Sequence, residues 1–246
     1  MAEALDRPDA VEVPERRQRG KVIALRDRPQ SPAAEAYRGV RTSLQLMPRE
    51  KQVALVITSP TAGEGKTYCA VNVAIALAAT GKRVLLVGAD MRRPSLHGLL
   101  GLRQGAGLSE FLAGQDDEPA IEESGVSGLS VLQSGQIPPN PSELLGARRF
   151  SEGFTTWRTS YDHILFDTTP ILGVTDALVL AQQVGRALLV VRANRTTDRE
   201  LRRAHDTLRG AGIDVLGVIL NGHRPTDAVY GAYAAYAYTA RHGEEA

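Results

Sequence analysis

Cysteine is nearly absent. The single Cys69 in 246 residues excludes an intramolecular disulfide framework and any multi-cysteine zinc cluster, and it suits a reducing compartment. An excess of one charge sign is also missing. Twenty-nine Lys plus Arg stand against 28 Asp plus Glu, a formal charge of +1, so no global field marks nucleic acid or an anionic membrane surface as the partner. Long hydrophobic runs are missing too. The longest, residues 73–79, falls far below the ~20 residues that cross a bilayer, and the N-terminal stretch carries no signal-peptide core. A soluble, cytoplasmic chain is the expectation. Lysine is scarce, with only four among the 29 basic residues, so a lysine inside a motif stands out. No period of 20 to 50 residues suggests a repeat protein.

What is present is ample for a packed core, with 43% hydrophobic and 23% charged residues, enough for one α/β domain or two small ones. Residues 1–30 hold thirteen charges and three prolines with scattered apolar residues, a composition read as a flexible arm. Order is expected from residue 31. Good helix formers and the spacing of Ala36, Val40 and Leu44 predict a helix over 33–46. Short β-branched runs at 53–58, 84–87, 129–133, 163–166, 187–191 and 215–220 read as strands buried on both faces. Helical segments lie at 67–80, 142–150, 176–183 and 198–210, with Gly81 and Gly210 as C-terminal stops. This alternation predicts a three-layer αβα fold around a mostly parallel sheet, with functional loops at the carboxyl ends of the strands.

The run Ser59, Pro60, Thr61, Ala62, Gly63, Glu64, Gly65, Lys66, Thr67 follows the first strand and opens a helix. Backbone N–H groups that close around phosphate oxygens require small residues. A lysine reaches the β and γ phosphates, a hydroxyl reaches Mg²⁺, and a helix N-terminus stands behind them. Ala62 to Thr67 and the adjoining Tyr68 are the candidate nucleotide-binding residues, with Lys66 also catalytic. A Gly-rich turn with a solvated lysine is the plain alternative; the strand-loop-helix context and the rarity of lysine weigh against it. Asp167, at the tip of the fourth predicted strand and followed by Thr168, Thr169 and Pro170, is placed to hold Mg²⁺ together with Thr67. Its plain alternative is a turn cap. After the second strand come Gly88, Ala89, Asp90, Met91, Arg92, Arg93 and Pro94. Asp90 could activate a hydroxyl and Arg92 could neutralise a transferring phosphoryl group. Alone, these residues would read as surface salt bridging.

Together the Gly-Glu-Gly-Lys-Thr, Ala-Asp-Met-Arg-Arg-Pro and Phe-Asp-Thr-Thr-Pro elements resemble the bacterial tyrosine kinases of capsule and exopolysaccharide biosynthesis. Glu35, Arg38 and Arg41 match that family's Glu-x-x-Arg-x-x-Arg oligomerisation helix. Residues 137–145 resemble its Pro-rich loop before a helix. Gly217 to Asn221 resemble its last core strand, whose terminal Asn contacts adenine. Tyr230, Tyr233, Tyr236 and Tyr238 resemble its autophosphorylated C-terminal cluster. The match covers about residues 31–240.

The resemblance implies a P-loop kinase domain over 31–225, a flexible tyrosine-rich tail over 226–246, and ATP with Mg²⁺ as cofactors. It also implies a homo-oligomeric ring, a separate transmembrane polysaccharide copolymerase as activator, a cognate tyrosine phosphatase, and a location on the inner face of the cell membrane through that partner. Two positions depart from the family pattern. Gly88 stands where the first carboxylate of Asp-x-Asp-x-Arg is usual, and Ala62 stands where Pro is usual. A catalytically weak or inactive nucleotide-binding subunit of the export machinery is therefore a second reading. A partitioning ATPase of the MinD/ParA kind is a third, set lower because Thr61 replaces that group's extra lysine. By spacing alone, Glu35 and Arg38 are an intrahelical pair worth ~0.3 kcal/mol, and Tyr230, Tyr233 and Tyr236 could form one face of a helix.

Overall fold

Each apolar run expected as a strand is one. The computed structural model describes residues 22–47 and 53–223, with strands β1 (Val53–Thr58), β2 (Val84–Gly88), β3 (Ile121–Glu123), β4 (Leu129–Leu132), β5 (His163–Asp167), β6 (Arg186–Arg192) and β7 (Asp214–Asn221). They form one sheet in the order β3-β4-β2-β5-β1-β6-β7. Every pairing is parallel except β3 with β4. The helices are α1 (Ala24–Asp27), α2 (Pro32–Leu46), α3 (Lys66–Ala78), α4 (Leu96–Leu100), α5 (Leu108–Leu112), α6 (Pro141–Gly146), α7 (Arg148–Ser160), α8 (Asp176–Val184) and α9 (Asp198–Gly210).

Every residue of β2 and β5 is buried, because successive side chains point to opposite faces and helices cover both. Leu55, Ile57, Leu86, Leu165 and Val190 join the core under α3. Val56, Leu85, Val87, Phe166 and Leu189 join a second core with Phe150, Trp157 and Leu180 of α7 and α8. The expected three layers are therefore present. Helix α3 is itself buried from Cys69 to Ala78, since α1 and α2 pack on its outer side. A helix apolar all round requires such a second cover.

That cover corrects the N-terminal boundary. Residues 22–30 were expected within a flexible arm, yet Ile23 is fully buried and the backbone N–H of Leu25 donates to Asn72 Oδ1 at 3.1 Å. Asn72, fully buried in α3, in turn donates to the Tyr68 carbonyl at 2.9 Å. One buried isoleucine and one satisfied buried amide fasten a segment whose charge density reads as disorder. Ser31 caps α2 by accepting from the Ala34 N–H at 3.2 Å, so the helix starts at Pro32.

The single helix expected over 142–150 is two, broken where Ala147 is extended (φ −71°, ψ 152°), and the second continues to Ser160. Gly81 takes the expected left-handed turn after α3, whereas Gly210 stays inside α9 and Gly212 (φ 77°) makes that turn. The short elements α4, α5 and β3 were not expected, because three to five residues show no usable period. Among the described residues no helix is long and apolar enough to cross a membrane. Tyr230, Tyr233, Tyr236 and Tyr238 lie outside the described residues.

Candidate active site

The parallel strands end together at one edge, and the loops that leave them there bring the motifs into one place. Between β1 and α3 the chain turns through Gly63 (φ 81°) and Gly65 (φ 93°), conformations that side chains rarely adopt. Lys66 and Thr67 then open α3, so the first-turn N–H groups face the edge. Lys66 is largely buried.

Glu64 is fully buried, and its carboxylate is taken up by neighbouring hydroxyl and N–H groups. Its two oxygens accept from the Thr61 N–H (3.1 Å), the Thr61 hydroxyl (3.2 Å) and the Thr196 hydroxyl (2.5 Å). Its carbonyl accepts from Asn221 Nδ2 at 2.8 Å. Glu64 thus offers a phosphate only its backbone N–H. Asn221, expected at the base, lies at the end of β7 with its amide on the loop. Arg192 Nη1 and Arg195 Nη1 each donate to the Gly63 carbonyl at 3.2 Å, and Arg195 Nη2 donates to the Ala62 carbonyl at 3.1 Å.

Asp167 ends β5 beside this loop and is 2% exposed. Burial pushes its carboxyl up to about 7, against the opposing effects of a hydrogen bond from Thr67 and the Lys66 ammonium, while Asp90 raises it further. One carboxylate oxygen, Oδ1, is buried without a hydrogen-bond partner. An orphaned buried carboxylate oxygen beside a threonine hydroxyl is a donor set suited to a hard cation such as Mg²⁺. The Thr67 hydroxyl also meets the Ser95 hydroxyl at 3.1 Å.

The 88–94 loop is arranged differently from expectation. Asp90 Oδ1 accepts from the N–H groups of Arg92 (3.2 Å) and Arg93 (2.9 Å), so it caps its own turn while its charge is still felt at Asp167. Arg92, expected to face a phosphoryl group, instead grips Asp176 at the start of α8 with two bonds of 2.6 and 2.9 Å. Ser142 donates to the same carboxylate. Burial would raise Asp176, but the bonds from Arg92 and Ser142 outweigh it and hold the carboxyl below its ordinary range.

At Gly88 a Cβ would lie 2.8 Å from Ser134 Oγ, 3.1 Å from the Ser134 backbone N and 3.4 Å from Leu96. The space for a side chain at this position is taken. The Tyr68 ring meets Tyr37 edge-on at 6.2 Å and burial raises its hydroxyl, which leaves its backbone N–H, in the first turn of α3, as the group it can offer a phosphate. On α2, Glu35 and Arg38 pair with each other at 2.7 Å, Arg38 also donates to the Pro29 carbonyl, and Arg41 Nε is buried without a partner.

Asp176, Ser142, Thr196, Arg192, Arg195 and Ser134 were missed from sequence. A buried Glu64 demands partners, but nothing in the sequence says which loop supplies them.

Residues 55–237 match the CobQ/CobB/MinD/ParA nucleotide binding domain. The tyrosine-protein kinase YwqD of Bacillus subtilis is 36% identical over 220 residues, covering 88% of this chain and 92% of its own. The chain belongs to the bacterial tyrosine-kinase family. Among solved structures, the kinase domain of the Escherichia coli tyrosine kinase ETK superposes with a TM-score of 0.79 at 38% identity, covering 83% of this chain and 82% of that one. The septum site-determining protein MinD of Pyrococcus horikoshii, solved with Mg-ADP, gives 0.60 at 25% identity over 73% of this chain and 76% of that one. The first curated relatives are longer proteins, of which this chain spans 32% and 31%.

Proposed function

We propose that this chain is an ATP-dependent protein tyrosine autokinase that regulates capsular and exopolysaccharide polymerisation and export. The observation that carries the nucleotide reading is the buried, partly unpartnered carboxylate of Asp167 beside Thr67 and Lys66. The kinase reading is supported by membership of a family whose members are named tyrosine-protein kinases.

In this reading the N–H groups of Gly63 to Thr67 hold the β and γ phosphates, and the Lys66 ammonium neutralises their charge. Thr67 and Asp167 would hold Mg²⁺, which supplies electrostatic stabilisation of charge on the bridging phosphates. Asp90 lies near Asp167 and is the carboxylate available to accept the proton of an incoming tyrosine hydroxyl. Asn221 steadies the loop from beneath and borders the place for the base. The acceptors are Tyr230, Tyr233, Tyr236 and Tyr238, offered by a neighbouring protomer of a ring. Arg41, with its buried unpartnered Nε, and the Glu35–Arg38 pair form the surface for ring contacts. A transmembrane polysaccharide copolymerase activates the kinase at the inner membrane face, and a cognate phosphatase resets the tail.

One observation favours a second reading. Gly88 leaves the acidic element with half the carboxylates usual in the family, and Ser134 stands where a side chain at 88 would begin, which fits a slow enzyme or a nucleotide-dependent regulatory subunit.

Incubation of the pure protein with ATP and Mg²⁺, followed by phosphotyrosine detection, separates the two. Wild type mixed with Lys66→Met should phosphorylate the inactive partner's tail, and Lys66→Met alone should give no signal. Tight nucleotide binding with no phosphotyrosine, even with an activator's cytoplasmic segment added, would select the regulatory reading.

A further inference from the structure

Arg192 and Arg195 leave β6 on a loop where Asn194 is the only non-glycine residue with positive φ (59°) among those described. That turn brings Arg195 back toward the phosphate loop. Both arginines are exposed, yet neither guanidinium points simply into solvent. They converge on the carbonyls of Ala62 and Gly63 at 3.1 to 3.2 Å. From the same loop, Thr196 accepts from the Arg192 N–H at 2.8 Å and donates to the Glu64 carboxylate at 2.5 Å.

A trans peptide is planar, so a C=O and the N–H that follows it point in opposite directions. Fixing the Ala62 carbonyl outward therefore aims the Gly63 N–H inward, and fixing the Gly63 carbonyl aims the Glu64 N–H inward. A charged donor on a carbonyl also polarises the peptide and strengthens the donor at its other end. A loop rich in glycine would otherwise sample many orientations, and ordering it on binding would cost affinity. We propose that Arg192 and Arg195 are positioning residues that preset the Gly63 and Glu64 N–H groups for the nucleotide's phosphates. This rests on the nucleotide-site reading above. The guanidiniums act through the peptide planes and stand on the far side of the loop from the phosphates.

The test is calorimetric titration of the full chain with Mg·ATP and Mg·ADP, with thermal midpoints and ATP-dependent rates measured on the same samples. The variants are Arg195→Ala, Arg192→Ala/Arg195→Ala, Arg195→Lys and Lys66→Met. The double variant should bind both nucleotides roughly tenfold more weakly, as expected when donors must be ordered at binding. KM for ATP should rise by a similar factor while kcat stays within about twofold and the thermal midpoint is unchanged. Arg195→Lys should be intermediate, since an ammonium keeps the charge but lacks the fork that spans two carbonyls. Wild-type affinity in the double variant, alongside lost binding in Lys66→Met, would overturn the positioning role alone. Wild-type affinity in Lys66→Met would overturn the nucleotide site and this inference with it. Full rescue by Arg195→Lys would show that charge suffices and would also overturn it.

Discussion

Two loops at the same edge of the sheet carry arginines, and they use them in opposite ways. In the 88–94 loop Arg92 reaches sideways to Asp176, whose carboxylate also accepts from the Ser142 hydroxyl, so the loop is tied to the first turns of α6 and α8. In the loop after β6, Arg192 and Arg195 reach to backbone carbonyls of the phosphate loop. Arg92 stands out in sequence because of its motif, and Arg192 and Arg195 do not. A guanidinium's role follows from what acceptor its fork can span. Arg92 meets a carboxylate and serves mainly stability; Arg192 and Arg195 meet peptide planes and serve the site.

The largest expected effect comes from the phosphate loop itself. Lys66→Met should abolish nucleotide binding, read by calorimetry, because no other described side chain replaces its charge at the phosphates. Next, Arg92→Ala leaves the buried Asp176 carboxylate without its ion pair and should cost about 2 kcal/mol in denaturant unfolding. That is less than a fully buried pair would give, because the Arg92 side chain is 43% exposed and screened. A loss of ATP affinity with stability unchanged would erase the contrast between the two arginine sites.

Asp167 supplies an effect that depends on pH. Its carboxyl is raised from 3.8 to about 7 in the fold, so the folded protein keeps a proton that the unfolded chain releases. Stability from this group is fully present below about pH 4 and is lost as pH rises to about 7. In the proposed site Mg²⁺ would compete with that proton. Mg²⁺-dependent ATP affinity should therefore climb between about pH 6 and 8, and Asp167→Asn should flatten the climb. The smallest effect is expected at Gly88. Asp at this position meets Ser134, so Gly88→Asp alone should change the phosphorylation rate little, contrary to the gain that the family pattern suggests. Gly88→Asp/Ser134→Gly should show the gain, measured as initial phosphotyrosine formation.

The layered fold and the phosphate loop were legible because they rest on local signals. Buried parallel strands read as continuous apolar runs, and Gly63 to Thr67 sit between a strand and a helix. The position of Asp167 at the end of β5 was legible for the same reason. What was not legible depends on partners distant in sequence. Arg92 is 84 residues from Asp176, and Arg195 is 132 from Gly63, separations at which spacing carries no information. The packing of the Tyr68 ring against Tyr37 was hidden in the same way, because Tyr37 lies on a different helix. The fastening of residues 22–30 was hidden because the burial of Ile23 is visible only once α3 is in place.

The most direct test of the kinase reading is mass spectrometry of the 246-residue chain after treatment with ATP and Mg²⁺, alongside Lys66→Met. The account predicts phosphate on Tyr230, Tyr233, Tyr236 or Tyr238 in the wild type and none in the variant. Phosphate concentrated on Tyr37, Tyr68 or Tyr161, or equal modification in Lys66→Met, would contradict it.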